Sequence, residues 1–189
     1  MALYLIAARI DERGKISGGI EGDQNGCEVC AYKYANYKYG WEGVLRWEGS
    51  DLVRVRNRLM CAAWRCAKNE NIGYNQNKRV TLYNLMQNKK WLLRHVLALP
   101  RCSCDCSMLM GVCANIALLP LKLTDAVCPN YVYTGNMLSI FKHMGFTWIT
   151  KGIDFDSGFG LMPGDILLNQ DHHTAMFMGS KKSGVRYSD

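Results

Sequence analysis

No apolar run in this chain reaches the roughly 18 residues that a membrane-spanning helix needs. The opening MALYLIAA has no basic flank and runs straight into Arg9, Asp11, Glu12 and Arg13, so a secretory signal is not expected and synthesis in a cytoplasm is. Dense basic blocks are missing too. The formal net charge is +7, but Lys and Arg are scattered, with only short pairs such as Lys89/Lys90 and Lys181/Lys182. Attraction to an anionic partner is expected, without the concentrated patch of a nucleic-acid binder. A phosphate-binding loop is absent: GGIEGDQ is glycine-rich, yet no Lys-Ser/Thr follows and the spacing is not G-x-G-x-x-G. Gly14, Gly18, Gly19 and Gly22 therefore read as turn residues. No repeat, low-complexity segment or linker divides the chain. Its 189 residues, 49% hydrophobic, suffice for one core, and the expectation is a single domain over 1–189.

Cysteine is abundant. Nine cannot pair completely within one chain, so at least one thiol stays free or binds something else, as in a reducing compartment. The stretch CSCDCSMLMGVCANIALL, from Cys102 to Leu119, opens with polar, turn-forming residues and becomes an apolar run. In it Cys106, Met110, Cys113 and Ala117 recur at helical spacing. A helix starting at Cys106 and stopping before Pro120 is predicted, with Asp105 as its cap. The partial positive charge of a helix start favours a thiolate, which makes Cys106 a candidate nucleophile with a lowered pKa. The plainer alternative is a buried structural cysteine.

Leu3–Ile10 reads as a strand. Tyr32, Tyr34, Tyr37, Tyr39, Trp41 and Trp47 crowd the next region and suit packing or stacking on a ligand. Ser50–Asn69 reads as a helix capped by Ser50 or Asp51, with a stripe of Leu52, Val55, Leu59, Ala63 and Cys66. Arg54, Arg56, Arg58 and Arg65 lie mostly off that stripe and read as a solvated face. After the loop NENIGYNQN, helices are expected at 79–88 and 90–97, the second ended by Pro100. A further helix at 134–145 precedes strands at 146–150, 165–169, 173–178 and 184–187. Helices followed by strands predict an α+β domain, with a helical N-terminal part over about 1–100 and the nucleophile helix and sheet over about 101–189.

A thiol nucleophile needs a base. His95 and His143 lie on or near helices and read as ordinary. His172 and His173 stand at the mouth of a strand, after NQD and before TAMFMG. Alternation lets only one of the two point with Ala175 and Phe177, the set expected to face the helix, and that one is His173.

DCS at the head of an apolar helix, followed by PGDILL, a short turn and HHTAMFMG, resembles the NlpC-type papain-like cysteine peptidases, a family of cell-wall hydrolases. ARIDERGKISGGIEGDQNGCEV, NIGYNQNKRVTLY and YTGN resemble a branch found in bacteriophage endolysins. The resemblance implies a papain-like fold, with the cysteine heading a helix packed on an antiparallel sheet and the histidine on a sheet strand. It places the family's D-C-S on Asp105, Cys106 and Ser107, its H-x-(G/A) on His173, Thr174 and Ala175, and its peptide-binding tyrosine on Tyr74, without the usual two following glycines. Asp105, Ser107 and Tyr74 are thereby expected to contact substrate. VRYSD offers no equivalent of the third polar residue that orients the histidine in many members. Cys102 and Cys104, so near the nucleophile, are unusual and suited to mixed disulfides with it.

The implied activity is hydrolysis of an amide in the bacterial peptidoglycan stem through an acyl-enzyme. Either the muramoyl–L-alanine amide or a bond within the stem suits the chemistry. The implied setting is synthesis in a bacterial host cytoplasm and action on the wall, with no cofactor and no metal. A zinc module using Cys27 and Cys30 with two of Cys102, Cys104 and Cys106, or with His172 and His173, is the alternative, against which C-x-C-x-C is not a usual tetrahedral spacing. A noncatalytic nucleic-acid-binding or wall-binding protein is the other.

Overall fold

The computed structural model describes residues 2–11, 13–16, 19–22, 27–34 and 38–180. Its organising layer is a six-stranded sheet ordered β2-β1-β8-β7-β3-β6, with every pair antiparallel. The strands are β1 (Leu3–Ala8), β2 (Val29–Lys33), β3 (Gly43–Trp47), β6 (Phe146–Ile149), β7 (Ile166–Asn169) and β8 (His173–Ser180). The architecture is mixed α+β. The expected helical N-terminal part is corrected, because the first 47 residues supply three strands of this sheet. Of these, β1 falls within the strand expected at Leu3–Ile10; period-2 alternation does not reveal β3, because it is buried at all five positions, Arg46 included, and a strand covered on both faces shows no polar side.

Both faces are covered. On one, Ile6, Leu45, Ile166, Leu168 and Met176 pack with α1 (Leu52–Lys68) and α3 (Cys106–Leu118). On the other, Leu5, Val44, Leu167, Ala175 and Phe177 pack with Trp41. α3 is buried from Ser107 to Leu118, so it is apolar all round, as a central helix must be. α1 buries Val55, Leu59, Ala63 and Cys66, as its stripe predicts, but Leu52 is exposed and Asp51 makes no side-chain cap. Three of its arginines depart from the solvated-face expectation. Arg58 donates to the Ile116 carbonyl at 2.8 Å, Arg65 to that of Leu93 at 3.1 Å, and Arg56 to that of Trp47 at 3.5 Å.

The loop expected around residue 74 contains a strand, β4 (Ile72–Tyr74). It pairs in parallel with β5 (Cys102–Cys104), which replaces the turn expected before the nucleophile. The Ser103 N–H donates to the Thr81 hydroxyl at 2.8 Å, at the first residue of α2 (Thr81–Asn88). Gly22 closes the same corner. Its φ of +71° and a backbone approach that would put a Cβ 2.6 Å from the Arg101 Cα both require glycine, and its N–H donates to the Ser103 hydroxyl at 3.0 Å. The helix expected at 90–97 is a 3-10 segment, Leu93–Ala98, separated from α2 by left-handed Lys90 and Trp91. α4 (Thr134–His143) ends before Gly145 as predicted. The strand expected at 184–187 lies outside the described residues.

The turn entering β7 is held by a buried ion pair. Arg46 donates to both carboxylate oxygens of Asp165, at 2.8 and 2.6 Å, while Asp165 also accepts from the Met162 N–H at 2.7 Å. Asp165→Ala strands the guanidinium in a desolvated place, and the expected loss is about 3–5 kcal/mol. Urea denaturation checks this; a loss below about 1 kcal/mol would show that the pair holds nothing.

Candidate active site

Cys106 is the first residue of α3, directly after β5. Asp105 caps the helix as expected: its Oδ1 accepts from the Met108 N–H at 2.8 Å. Its Oδ2 pairs with Arg79 Nε at 2.8 Å, and the Ser107 hydroxyl donates to Oδ1 at 3.0 Å. Arg79 also donates to the Ser107 hydroxyl at 3.3 Å and to the Val132 carbonyl. Asp105 and Ser107 are both buried, and neither lines the cleft onto which Cys106 opens. They brace the helix start. Arg79 escaped sequence reasoning because nothing in its local spacing links it to a carboxylate so far along the chain.

That cleft has a volume of about 870 Å³ and brings Cys106 together with Tyr74, His172 and His173. Tyr74 arrives through β4, paired with Cys104 in the parallel ladder. Its hydroxyl donates to the Ile16 carbonyl at 3.1 Å, and its N–H donates to the buried carboxylate of Glu28. Burial, then the neighbouring Cys106 and Asp105, raise the Tyr74 pKa, so the phenol keeps its proton. Trp41, which stacks on His173 at 6.0 Å, and Tyr39, which stacks on His172 at 4.4 Å, complete this wall. His95 and His143 do not line it.

The expected facing of the histidines is corrected. Ala175 and Phe177 point away from α1 and α3, into the cluster around Trp41. The helix-facing set is Thr174 and Met176, opposite Leu168 and Ile166 on β7. Alternation separates the sets but does not say which meets the helix when both are apolar. His173, at the end of β8, reaches the cleft from the far-face set.

The thiol also departs from expectation. Burial, followed by the charge of Asp105, pushes the Cys106 pKa up to about 12, outweighing the N–H groups of Thr174 and Ser107 and the charge of Arg79. The helix start alone does not make a thiolate here. Burial and then the charge of Arg9 lower the His173 pKa to about 4. At neutral pH the site holds a protonated thiol and a neutral imidazole. Iodoacetamide is therefore expected to label Cys106 slowly at pH 7 and progressively faster as pH rises above 9, followed by mass spectrometry of the labelled peptide. Full labelling within seconds at pH 7 would contradict this.

Among the described residues, no three His, Cys, Asp or Glu side chains converge as a metal-holding group. Cys27 and Cys30 stand apart, with the Cys30 thiol donating to the Cys27 carbonyl at 3.0 Å. Cys102 and Cys104 are buried in β5.

The sequence model of a family described as endolysin-like domain matches residues 5–183. No curated protein and no solved structure matches the chain.

Proposed function

The chain belongs to the endolysin-like domain family, and from that premise we propose that it is a cell-wall hydrolase of the papain-like, NlpC-type kind, cutting an amide of the peptidoglycan stem with Cys106 as nucleophile and His173 as base. The observation that carries this reading is the meeting of Cys106, at the head of a buried helix, with His173 and Tyr74 in one cleft. A wall-related role is what the family membership itself indicates. No described helix is long and apolar enough to cross a membrane.

The protonation states shape the mechanism. A neutral imidazole takes the thiol proton as sulfur attacks the carbonyl carbon, so the charge separates during attack rather than in the resting site. The C–S bond forms and the C–N bond breaks. Imidazolium returns the proton to the leaving amine, and water, deprotonated by the same imidazole, releases the acyl group. The N–H of Cys106, in the first turn of α3 where no intrahelical acceptor exists, is suited to stabilise the oxyanion. Asp105, Ser107 and Arg79 position the helix start without touching substrate. Tyr74 forms the cleft wall on which the peptide lies.

Digestion of purified peptidoglycan, with identification of the new termini, tests the reading. Each cut should release one amine and one carboxyl group. New reducing sugar ends without new amines would overturn it.

A further inference from the structure

The nine thiols are divided unequally between core and surface. Cys61, Cys66, Cys102, Cys104, Cys113 and Cys128 are buried, Cys106 opens on the cleft, and Cys27 is the one exposed cysteine. Cys30 stands beside it, half-buried in β2, where it pairs with Ala7 of β1. Neither Cys27 nor Cys30 lines the cleft, and the proposed hydrolysis uses neither.

The two thiols of this C-x-x-C segment are already in contact. The Cys30 S–H donates to the Cys27 carbonyl at 3.0 Å and lies within hydrogen-bonding reach of the Cys27 sulfur. The residue after Cys27 is tethered on both sides: the Glu28 carbonyl accepts from the Arg9 N–H at 2.9 Å, and its carboxylate accepts from the Tyr74 N–H. A segment so restrained loses little further freedom when its two sulfurs join. The environments of the two thiols also differ. Exposure offers Cys27 to a disulfide arriving from solvent. Burial, then the neighbouring Cys27, push the Cys30 pKa up to about 11, so Cys30 rests as a thiol. The Arg9 guanidinium, placed 4.3 Å from the centre of the Tyr32 ring, hydrogen-bonds the Cys30 sulfur and favours its thiolate. When Cys27 is capped in a mixed disulfide, its opposing charge is gone while the support from Arg9 remains.

We infer that Cys27 and Cys30 form a thiol–disulfide exchange site that takes low-molecular-weight disulfides as its oxidant, with Cys27 as the attacking sulfur and Cys30 as the resolving one. The Cys27 thiolate attacks one sulfur of the small disulfide, forming a mixed disulfide and releasing one small thiolate. The Cys30 thiolate, its proton passed to water, then attacks the Cys27 sulfur; the Cys27–Cys30 bond forms and the second small thiolate leaves. Two electrons pass from the protein dithiol to the small disulfide, and two thiol protons go to solvent. The site is independent of the hydrolase reading, since it shares no reacting atom with the cleft.

Oxidised glutathione, added in excess to the folded, fully reduced chain without denaturant, tests this by alkylation of the remaining thiols and peptide mass spectrometry. Wild type should lose the Cys27 and Cys30 thiols together, keep no glutathione adduct, and show one new disulfide between these two residues that dithiothreitol reverses. Cys30→Ser should instead accumulate one glutathione on Cys27, because the resolving sulfur is missing. Cys27→Ser should react at Cys30 slower than wild type reacts at Cys27 by about tenfold or more, since the thiol left is half-buried and mostly protonated. The buried pair Cys66 and Cys113, whose side chains also hydrogen-bond, is the internal control and should stay reduced. A glutathione adduct persisting on wild-type Cys27, a disulfide mapped to Cys66 and Cys113 in place of Cys27 and Cys30, or both of the latter staying alkylatable would overturn the site. The wild-type map decides this even if a variant fails to fold. Peptidoglycan digestion is a separate measurement, so a failure of the hydrolase reading leaves this result standing.

Discussion

Cys106→Ala is expected to give a folded protein that no longer cleaves peptidoglycan, with the rate down by about ten-thousandfold or more. Removing the sulfur removes the atom that forms the acyl-enzyme, and no other cysteine lines the cleft among the described residues. The fold should survive, because the contacts that fix the helix start belong to its neighbours: Asp105 caps it, Arg79 pairs with Asp105, and Ser107 bridges the two. Cys106→Ser should be nearly as inactive, since a hydroxyl lacks the nucleophilicity of sulfur. Cys113→Ala is the control. Cys113 is buried in the core formed with α1, so its loss should cost some stability and leave turnover intact. Circular dichroism and amine release, measured on the same preparations, separate folding from chemistry. Turnover persisting in folded Cys106→Ala would remove the nucleophile assignment, and a silent Cys113→Ala would move it.

His173→Ala is expected to lower kcat/KM by about a hundredfold or more, the usual share of general base catalysis, whereas His172→Ala should leave most of the activity. The reasoning is that of position. His173 is the strand residue beside Trp41, buried enough to be held neutral, while His172 lies outside the strand against exposed Tyr39. The base must be unprotonated to work. Because the folded His173 pKa is lowered to about 4, its neutral form persists as pH falls past the ordinary histidine value, and the acid limb of kcat/KM should lie near pH 4 rather than 6.5. The same shift has a consequence for stability. The folded state resists a proton that the unfolded chain accepts, so this contribution is full above about pH 6.5 and is lost as pH falls through 4. Loss confined to His172→Ala would exchange the roles of the two histidines. Equal, severe losses in both would revive paired metal ligation.

Much of the helical framework was legible. The periodic apolar stripes of 52–68 and 106–118 placed α1 and α3, and the closing glycine placed α4, to within a few residues, and Asp105 was recognised as a cap because a carboxylate before an apolar run has one local use. The strands β2 to β5 were not legible, for two reasons. β3 is covered on both faces and shows no alternation, and β4 and β5 are three-residue strands that exist only by pairing with each other. Tyr74 was placed near Cys106 by resemblance; the parallel ladder is the physical means, and no local pattern announces it.

Local sequence determined what depends on neighbours along the chain: where helices start, which thiol heads one, and which two histidines share a strand mouth. Tertiary structure decided what depends on desolvation and on contacts between distant segments. Burial, not the helix start, governs the Cys106 thiol and keeps it protonated. The pairing of β8 with β1 and β7, not alternation, settles which of its sides meets α3. Arg79 and Arg9 acquire their places because the chain returns to the site from far away. Electrostatic work depends on distance through space and on the water excluded from between, and neither quantity is written in the order of residues.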